Sequence, residues 1–578
     1  MSQSAELLVL IYSTPNSLVP PARAVDSYAT SSYTHEGVTA TIETCCYNLL
    51  ALAAVTAYLF HNGPIYSMAN GRMGDGVLLT HGSTTAYVGP KENLPTPARF
   101  AIKIDLDGRA LFPGFCDSHL HLVVASLEHR NLDCRRCGSI EELQALIRDR
   151  AACTRPGDWI IGSGWERRVL FADARPSPAA LDVAAPENPV LLVSKDWHSL
   201  WLNAAGMTHL LALPQLPACT IEQQRGAYTG LVYEEVFALR NLLLPKPSQA
   251  AKAAALAPYI EHLWRHGITR VHTMEAPEDL PIVANHLENS QARIRVIANL
   301  LFASPAELRA NAVLLQGNRH PWLDLGGVKL FVDGSFGSLT AALSIPYLGT
   351  NSRGLLALDA VVLDDWLRAM VDAKTNGVFH SIGDRATRLV VDGLARYDWP
   401  AATRHRIEHV QLLPSGLGDY RGLVLSGQPS HLWADREIIL RHLSANLHEY
   451  CYAYRLMLEG GAELVFGSDA PVETVDPWPG IRAAVTRVAT GTSAAFVHAQ
   501  ALTLEEALAA HTSTPGRLNN FPFATGVLQV GAAADLVVLD RDPFQSTRDE
   551  TGKVRLDDEA WQIRTDMTWV NGELVYTR

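Results

Sequence analysis

These 578 residues contain no long basic run, no cysteine framework and no membrane-length apolar stretch. Charged residues make up only 19%, and the formal net charge is −12. Nucleic-acid binding needs a basic footprint, so no nucleic-acid partner is expected. The eight cysteines, Cys45, Cys46, Cys116, Cys134, Cys137, Cys153, Cys219 and Cys451, are scattered. In a chain of this length that pattern reads as reduced thiols rather than a disulfide scaffold. Cys134 and Cys137 form a lone C-x-x-C. A structural zinc site calls for a second pair or two histidines nearby, so none is expected there. The most apolar run, Cys45 to Phe60, is shorter than the roughly 20 residues that span a bilayer. No basic segment followed by an apolar stretch and a cleavage site opens the sequence, so no signal peptide is expected. The expectation is a soluble, cytoplasmic protein with no membrane partner.

What is present is an ordinary globular composition. Hydrophobic residues make up 48%, enough for a large core. Residues 1–45 are rich in Ser, Thr, Pro and Ala without a clear period and read as a weakly structured extension. Short β-like runs follow at Ala57–Met68, Gly76–Val88 and Phe100–Leu106. Similar runs close the chain at Ala534–Asp540 and Met567–Tyr576, the latter with the hairpin signal Asn571-Gly572. Two β-rich ends around an α/β centre predict one small β-sandwich domain built from 46–112 and 522–578. Between them, 113–521 alternates strands with helical patterns such as Leu363–Thr375. The strand candidates are Leu111–Phe115, Ile268–Met274, Ile294–Leu300, Gly327–Val332, Val378–Ile382, Arg406–Val410, Leu423–Ser426 and Leu464–Gly467. That number suits a closed parallel (β/α)8 TIM-type barrel. The first two candidates are far apart, which predicts an insertion at about 155–262, after the first barrel strand. It holds strand-like Asp158–Trp165 and Val190–Trp197 and a helical stretch near Ala250–Ala255, and is expected to cover the barrel mouth.

The sharpest chemical feature is the pair His119 and His121, two residues apart at the end of an apolar strand. Residues i and i+2 of a strand face one side, so both imidazoles can converge on one metal. His380, His409 and Asp469 also end apolar strands, where barrel enzymes place their chemistry. One such histidine is more often a hydrogen-bonded structural residue. Four histidines and an aspartate at successive strand ends need a cation, or one another, for compensation. Lys329 interrupts the apolar run Gly327–Val332. It either snorkels to water or stays buried and deprotonated. A deprotonated amine can capture carbon dioxide as a carbamate and bridge two metals, and that reading is preferred.

From about residue 56 to its end the chain resembles the amidohydrolase superfamily, most closely the amidohydrolase 3 branch, which includes N-substituted formamide deformylases. The resembling segments are PGFCDSHLHL at 113–122, HSLWLNAAG at 198–206, GLVYEE at 230–235 and VKLFVDGSFGS at 328–338. They continue with HSIGDRA at 380–386, RHRIEHVQ at 404–411, QPSH at 428–431 and GSDAPVETVDPWPGI at 467–481. The resemblance implies a barrel with a sandwich made from both chain ends. It implies a metal centre of His119, His121, carbamylated Lys329, His380, His409 and Asp469. It also implies that His198 and Glu234 line the substrate pocket.

The expected activity is hydrolysis of an amide-like C–N bond by metal-activated water. The cofactor is a divalent metal, zinc first, one or two ions, with manganese or iron as alternatives. Asp469 is the expected base, and His380 or His409 would help to stabilise the oxyanion. Asp384 and Arg385 read as a structural ion pair orienting their loop. Trp159, Trp165, Trp197 and Trp201 in the insertion suggest an apolar or aromatic small-molecule substrate, with Trp165 as a binding residue. The ligand set does not separate hydrolysis from deamination, cyclisation or isomerisation on the same centre. A non-catalytic binding or regulatory protein on this scaffold is the alternative of another class. Oligomeric state is open, a homodimer included.

Overall fold

Eight strands run parallel in one sheet, in chain order: β1 Phe115–Leu120, β2 Ile268–Glu275, β3 Arg295–Leu300, β4 Leu323–Phe331, β5 Asn376–Ser381, β6 Arg406–His409, β7 Val424–Gly427 and β8 Glu463–Phe466. The computed structural model describes residues 56–578 except 70–71, 74–75, 172–175, 195–198, 218, 234–235, 316–320 and 491. The expected extension at 1–45, with Cys45, and Cys46 beside it, therefore lies outside the described residues. Each barrel strand pairs in parallel with the next. The ring closes at its C-terminal rim, where a parallel bridge joins Leu120 to Ala470. There Asp469 N–H donates to His119 O at 2.7 Å and His121 N–H to Ala470 O at 2.9 Å. Most residues of these strands are buried. A parallel sheet covered on both faces explains why their sequences read as continuous apolar runs rather than alternation.

The helix Ala360–Ala373 between β4 and β5 shows how the crossovers form. Asp359 caps it by accepting from Val361 N and Val362 N, and Lys374 ends it in the left-handed conformation. Its buried stripe is Leu363, Trp366, Leu367 and Met370, at helical spacing.

The expected first strand, Leu111–Phe115, needs correction. Ala110–Pro113 pairs antiparallel with Leu536–Leu539 in a different sheet, and the barrel begins at Phe115. The apolar run passes through both strands, so hydrophobicity does not mark the crossing. Gly114 does: a Cβ there would lie 2.3 Å from the Thr269 side chain.

The other two sheets of this unit are built from both parts of the chain. One has six strands in the order Glu573–Thr577, Thr565–Val570, Leu536–Leu539, Ala110–Pro113, Ile65–Tyr66 and Arg72–Met73. The other has Thr84–Pro90, Gly76–His81, Tyr58–His61 and Ile102–Asp105. They share a core of Phe60, Ile65, Leu78, Leu111, Leu536 and Trp569. Each such apolar side chain contributes roughly 1.5–3 kcal/mol on burial. At the last hairpin Asn571 and Gly572 both have positive φ, 56° and 79°, as a type I′ turn requires. Arg295 on β3 binds Asp535 with two hydrogen bonds, 2.5 and 3.0 Å, and ties this domain to the barrel.

Residues Val124–Leu256 form a second compact unit. Its mixed sheet runs Thr220–Gln224, Ala227–Tyr233, Ser199–Leu202, Val190–Ser194, Ile160–Trp165 and Leu132–Asp133. Cys134 is buried in one of its two apolar cores. Burial pushes that thiol up to about 12, as befits a packing residue rather than a metal ligand. Among the described residues no helix is long and apolar enough to cross a membrane.

Candidate metal centre

His119 lies in β1 and His121 directly after it, Lys329 near the end of β4, His380 in β5, His409 at the end of β6, and Asp469 just beyond β8. All six thus lie in the C-terminal half of the barrel strands or just beyond it, the end where barrel folds carry their chemistry. In a regular strand neighbours face opposite sides, yet Glu408 and His409 both reach His119. The left-handed backbone at His409, φ 74°, turns its ring back toward the centre. Asp469 is also left-handed, φ 59°. Non-glycine residues rarely adopt this conformation, and such strain collects at functional sites. At Gly467 any Cβ would lie 2.3 Å from His119 N, so only glycine lets β8 approach β1 this closely.

Donor atoms of His119, His121 and Asp469 lie within 4.8 Å of one another. Asp469 Oδ1 is 3.4 Å from His119 Nε2 and 3.3 Å from His121 Nε2. The His409 ring centre is 4.8 Å from that of His119 and 4.4 Å from that of His380. Lys329 is buried, and its Nζ lies 5.1 Å from the centre of the Phe331 ring.

Three of the imidazoles have one nitrogen committed to a protein oxygen. His119 Nδ1–H donates to Glu408 Oε2 at 2.5 Å, and His409 Nδ1–H to Gln428 Oε1 at 2.8 Å. His380 Nε2–H donates to Gly334 O at 3.1 Å. Each ring therefore keeps a lone pair on its other nitrogen. Burial, with the Lys329 charge second, lowers His119 below its ordinary value and His380 to about 3. Burial and the neighbouring His380 hold His409 well below its ordinary value. Burial alone would raise Asp469, but the hydrogen bond from His121 and the surrounding imidazoles outweigh it and hold the carboxyl well below its usual range. Burial also pushes the Lys329 amine down to about 8.

The lowered imidazoles of His119, His380 and His409 beside an ionised carboxylate suit a divalent cation, because ligands bind deprotonated. Two buried atoms carry the test of fit. His119 Nε2 and Lys329 Nζ have no hydrogen-bond partner, although burying an unsatisfied polar group is costly. A metal would satisfy the first. Carbamylation of Lys329 would remove the need to bury an ammonium.

Several supporting residues went unread in the sequence. Asp333 accepts from Ala342, Ile382 and Gly383 N–H at 2.8–2.9 Å and so fixes the loop after His380. Glu408 and Gln428 orient two rings. Only a partial signal existed: Glu408 sits between two barrel residues of RIEH, and nothing local shows that it is buried or which ring it reaches. Asp384 gives its oxygens to the Ser344 amide and hydroxyl, so the expected pairing with Arg385 is replaced by this contact. The second unit places Trp165 in its own apolar core, edge-on to Phe171 and Trp201, with the indole N–H donating to Leu192 O. His198, Glu234 and Trp197 lie outside the described residues.

Comparison with known proteins gives the same picture. The amidohydrolase family model (amidohydrolase 3) matches residues 103–576. The N-substituted formamide deformylase of Arthrobacter pascens is 25% identical over 87% of this chain and 95% of its own. Protein LONG AFTER FAR-RED 3 of Arabidopsis thaliana is 28% identical over 76% of this chain and 79% of its own. An uncharacterised metal-dependent hydrolase of Pyrococcus horikoshii OT3 superposes with a TM-score of 0.68 at 25% identity, over 86% of this chain and all of its own. The chain belongs to the amidohydrolase family, in its amidohydrolase 3 branch, and is a metal-dependent hydrolase.

Proposed function

We propose that the protein hydrolyses an amide-like C–N bond in a small molecule with an apolar or aromatic part, with water activated by metal. The observation that carries this reading is the convergence of His119, His121 and Asp469 at the seam where the barrel closes. The formamide deformylase among the relatives supports the amide class. His119, His121, His380, His409 and Asp469 would hold one or two ions, zinc first and manganese or iron as alternatives, with Lys329 as a carbamate bridge. A divalent ion held there would supply polarisation of the carbonyl and a water of lowered pKa, toward about 7.

The chain's own residues do the rest. Asp469 accepts the proton of the attacking water on its carboxylate and returns it to the leaving nitrogen. His380 and His409 keep their protons facing Gly334 and Gln428, so they serve as ligands rather than proton donors. Phe331, at the end of β4 and 45% exposed, has its ring centre 5.3 Å from that of His380. It offers an apolar wall for the substrate.

The test is a product assay of zinc-loaded protein on N-substituted formamides and on cyclic amidines. Formate and amine release supports the proposal. Ammonia release from amidines alone turns it to deamination, and no turnover on either panel favours a binding protein.

A further inference from the structure

Glu408 has both oxygens committed. Oε2 accepts from His119 Nδ1–H at 2.5 Å, and Oε1 accepts from Arg406 Nε–H at 2.8 Å. Arg406 continues the chain of contacts. Its Nη2 donates to Ser118 O at 2.6 Å, the carbonyl directly before His119, and its Nη1 donates to His272 Nδ1. Arg406, Glu408 and His272 are all at least 95% buried, so these bonds form largely away from bulk solvent. In the sheet β6 neighbours β5 and β7, whereas β1 neighbours β2 and bridges to Ala470 beyond β8. The pair on β6 therefore reaches β1 across the barrel interior, not along the sheet. It grips His119 twice, once at the backbone and once at the ring.

Burying an Arg–Glu pair carries a large desolvation penalty, and well-packed apolar residues would often be as stable. Stability alone gives little reason to keep such a pair here. The geometry supplies another. A carboxylate on Nδ1–H fixes the ring orientation, keeps the proton off Nε2 and raises the basicity of that nitrogen. Nε2 is the buried atom that faces Asp469 without a hydrogen-bond partner.

We infer that Arg406 and Glu408 form a positioning pair that presents the His119 Nε2 lone pair to the metal and thereby sets the affinity of the centre. The inference rests on the metal-centre reading above. Glu408 touches neither substrate nor water in this account and acts only through His119.

The experiment measures zinc affinity of the full-length protein by competition with a chromogenic chelator, for wild type and Glu408→Gln. A second variant, Arg406→Met with Glu408→Gln, removes both charges and so leaves no unpaired cation if the single variant folds poorly. Asp324→Asn is the control, a buried carboxylate at the opposite end of β4 whose oxygens bind Asn520 and the Leu325 amide. The pair should weaken zinc binding by about 10–100-fold when disrupted, in protein whose metal-free melting is cooperative, while Asp324→Asn binds as wild type does. Folded variants that bind zinc within about threefold of wild type overturn the inference and leave the metal centre standing. A wild type that binds no zinc, manganese or iron overturns both.

Discussion

Replacing Lys329 with methionine should make the metal-free protein more stable, not less. The amine is 2% exposed, has no hydrogen-bond partner, and titrates at about 8 in the fold against 10.5 in the open chain. At about 1.36 kcal/mol for each pH unit between those values, burying the ammonium costs the native state roughly 3 kcal/mol. Below pH 8 both states hold the proton and the full cost is present. Between pH 8 and 10.5 the folded amine has released its proton and the unfolded one has not, so stability climbs with pH. Above 10.5 the cost is gone. Lys329→Met keeps the length and apolar stem but has no charge to bury. Urea unfolding of chelator-treated protein, in buffer depleted of carbon dioxide, should show the variant more stable by up to about 3 kcal/mol at pH 7. The advantage should shrink as pH rises toward 10.5. Added zinc should reverse the order, since metal bound only to the native state stabilises it by mass action and the variant has lost a ligand. A variant no more stable than metal-free wild type at pH 7 would refute the reasoning.

Asp469→Asn should fold and bind substrate, with turnover of the best amide reduced by about 10²–10⁴-fold, the usual worth of a positioned base; near-wild-type kcat would remove Asp469 from that role. Phe331→Ala should raise KM for amides with aromatic substituents and leave the smallest formamides nearly unchanged, read from kcat and KM on a graded series. Asp535→Asn leaves Arg295, fully buried, without its carboxylate and should cost about 3–5 kcal/mol; an unchanged unfolding midpoint would show the pair is dispensable.

The parallel strands were legible because a sheet covered on both faces needs long apolar runs, and all eight candidates overlap observed strands in the predicted order. Only the first was displaced, because 110–120 serves two sheets and its hydrophobicity does not break at Gly114. The strand-end placement of His119, His121, Lys329, His380, His409 and Asp469 was legible because polar residues stand out at the ends of apolar strands. The residues that orient them were not. Glu408 and Arg406 resemble the alternating polar positions of any strand, and nothing local shows that they reach across the barrel to β1. Asp333 looks like a loop carboxylate until the fold folds three amides onto it. The tryptophans were ambiguous for the opposite reason: a large aromatic serves a core and a binding wall equally well, and Trp165 packs in a core.

The central claim is that this cluster of imidazoles and carboxylate holds a divalent metal. Elemental analysis of full-length protein, purified without added metal or chelator and beside His119→Ala, tests it most directly. The account predicts one to two equivalents of zinc, manganese or iron in wild type and clear loss in the variant. Metal-free wild type that also fails to take up any of these ions on reconstitution would contradict it.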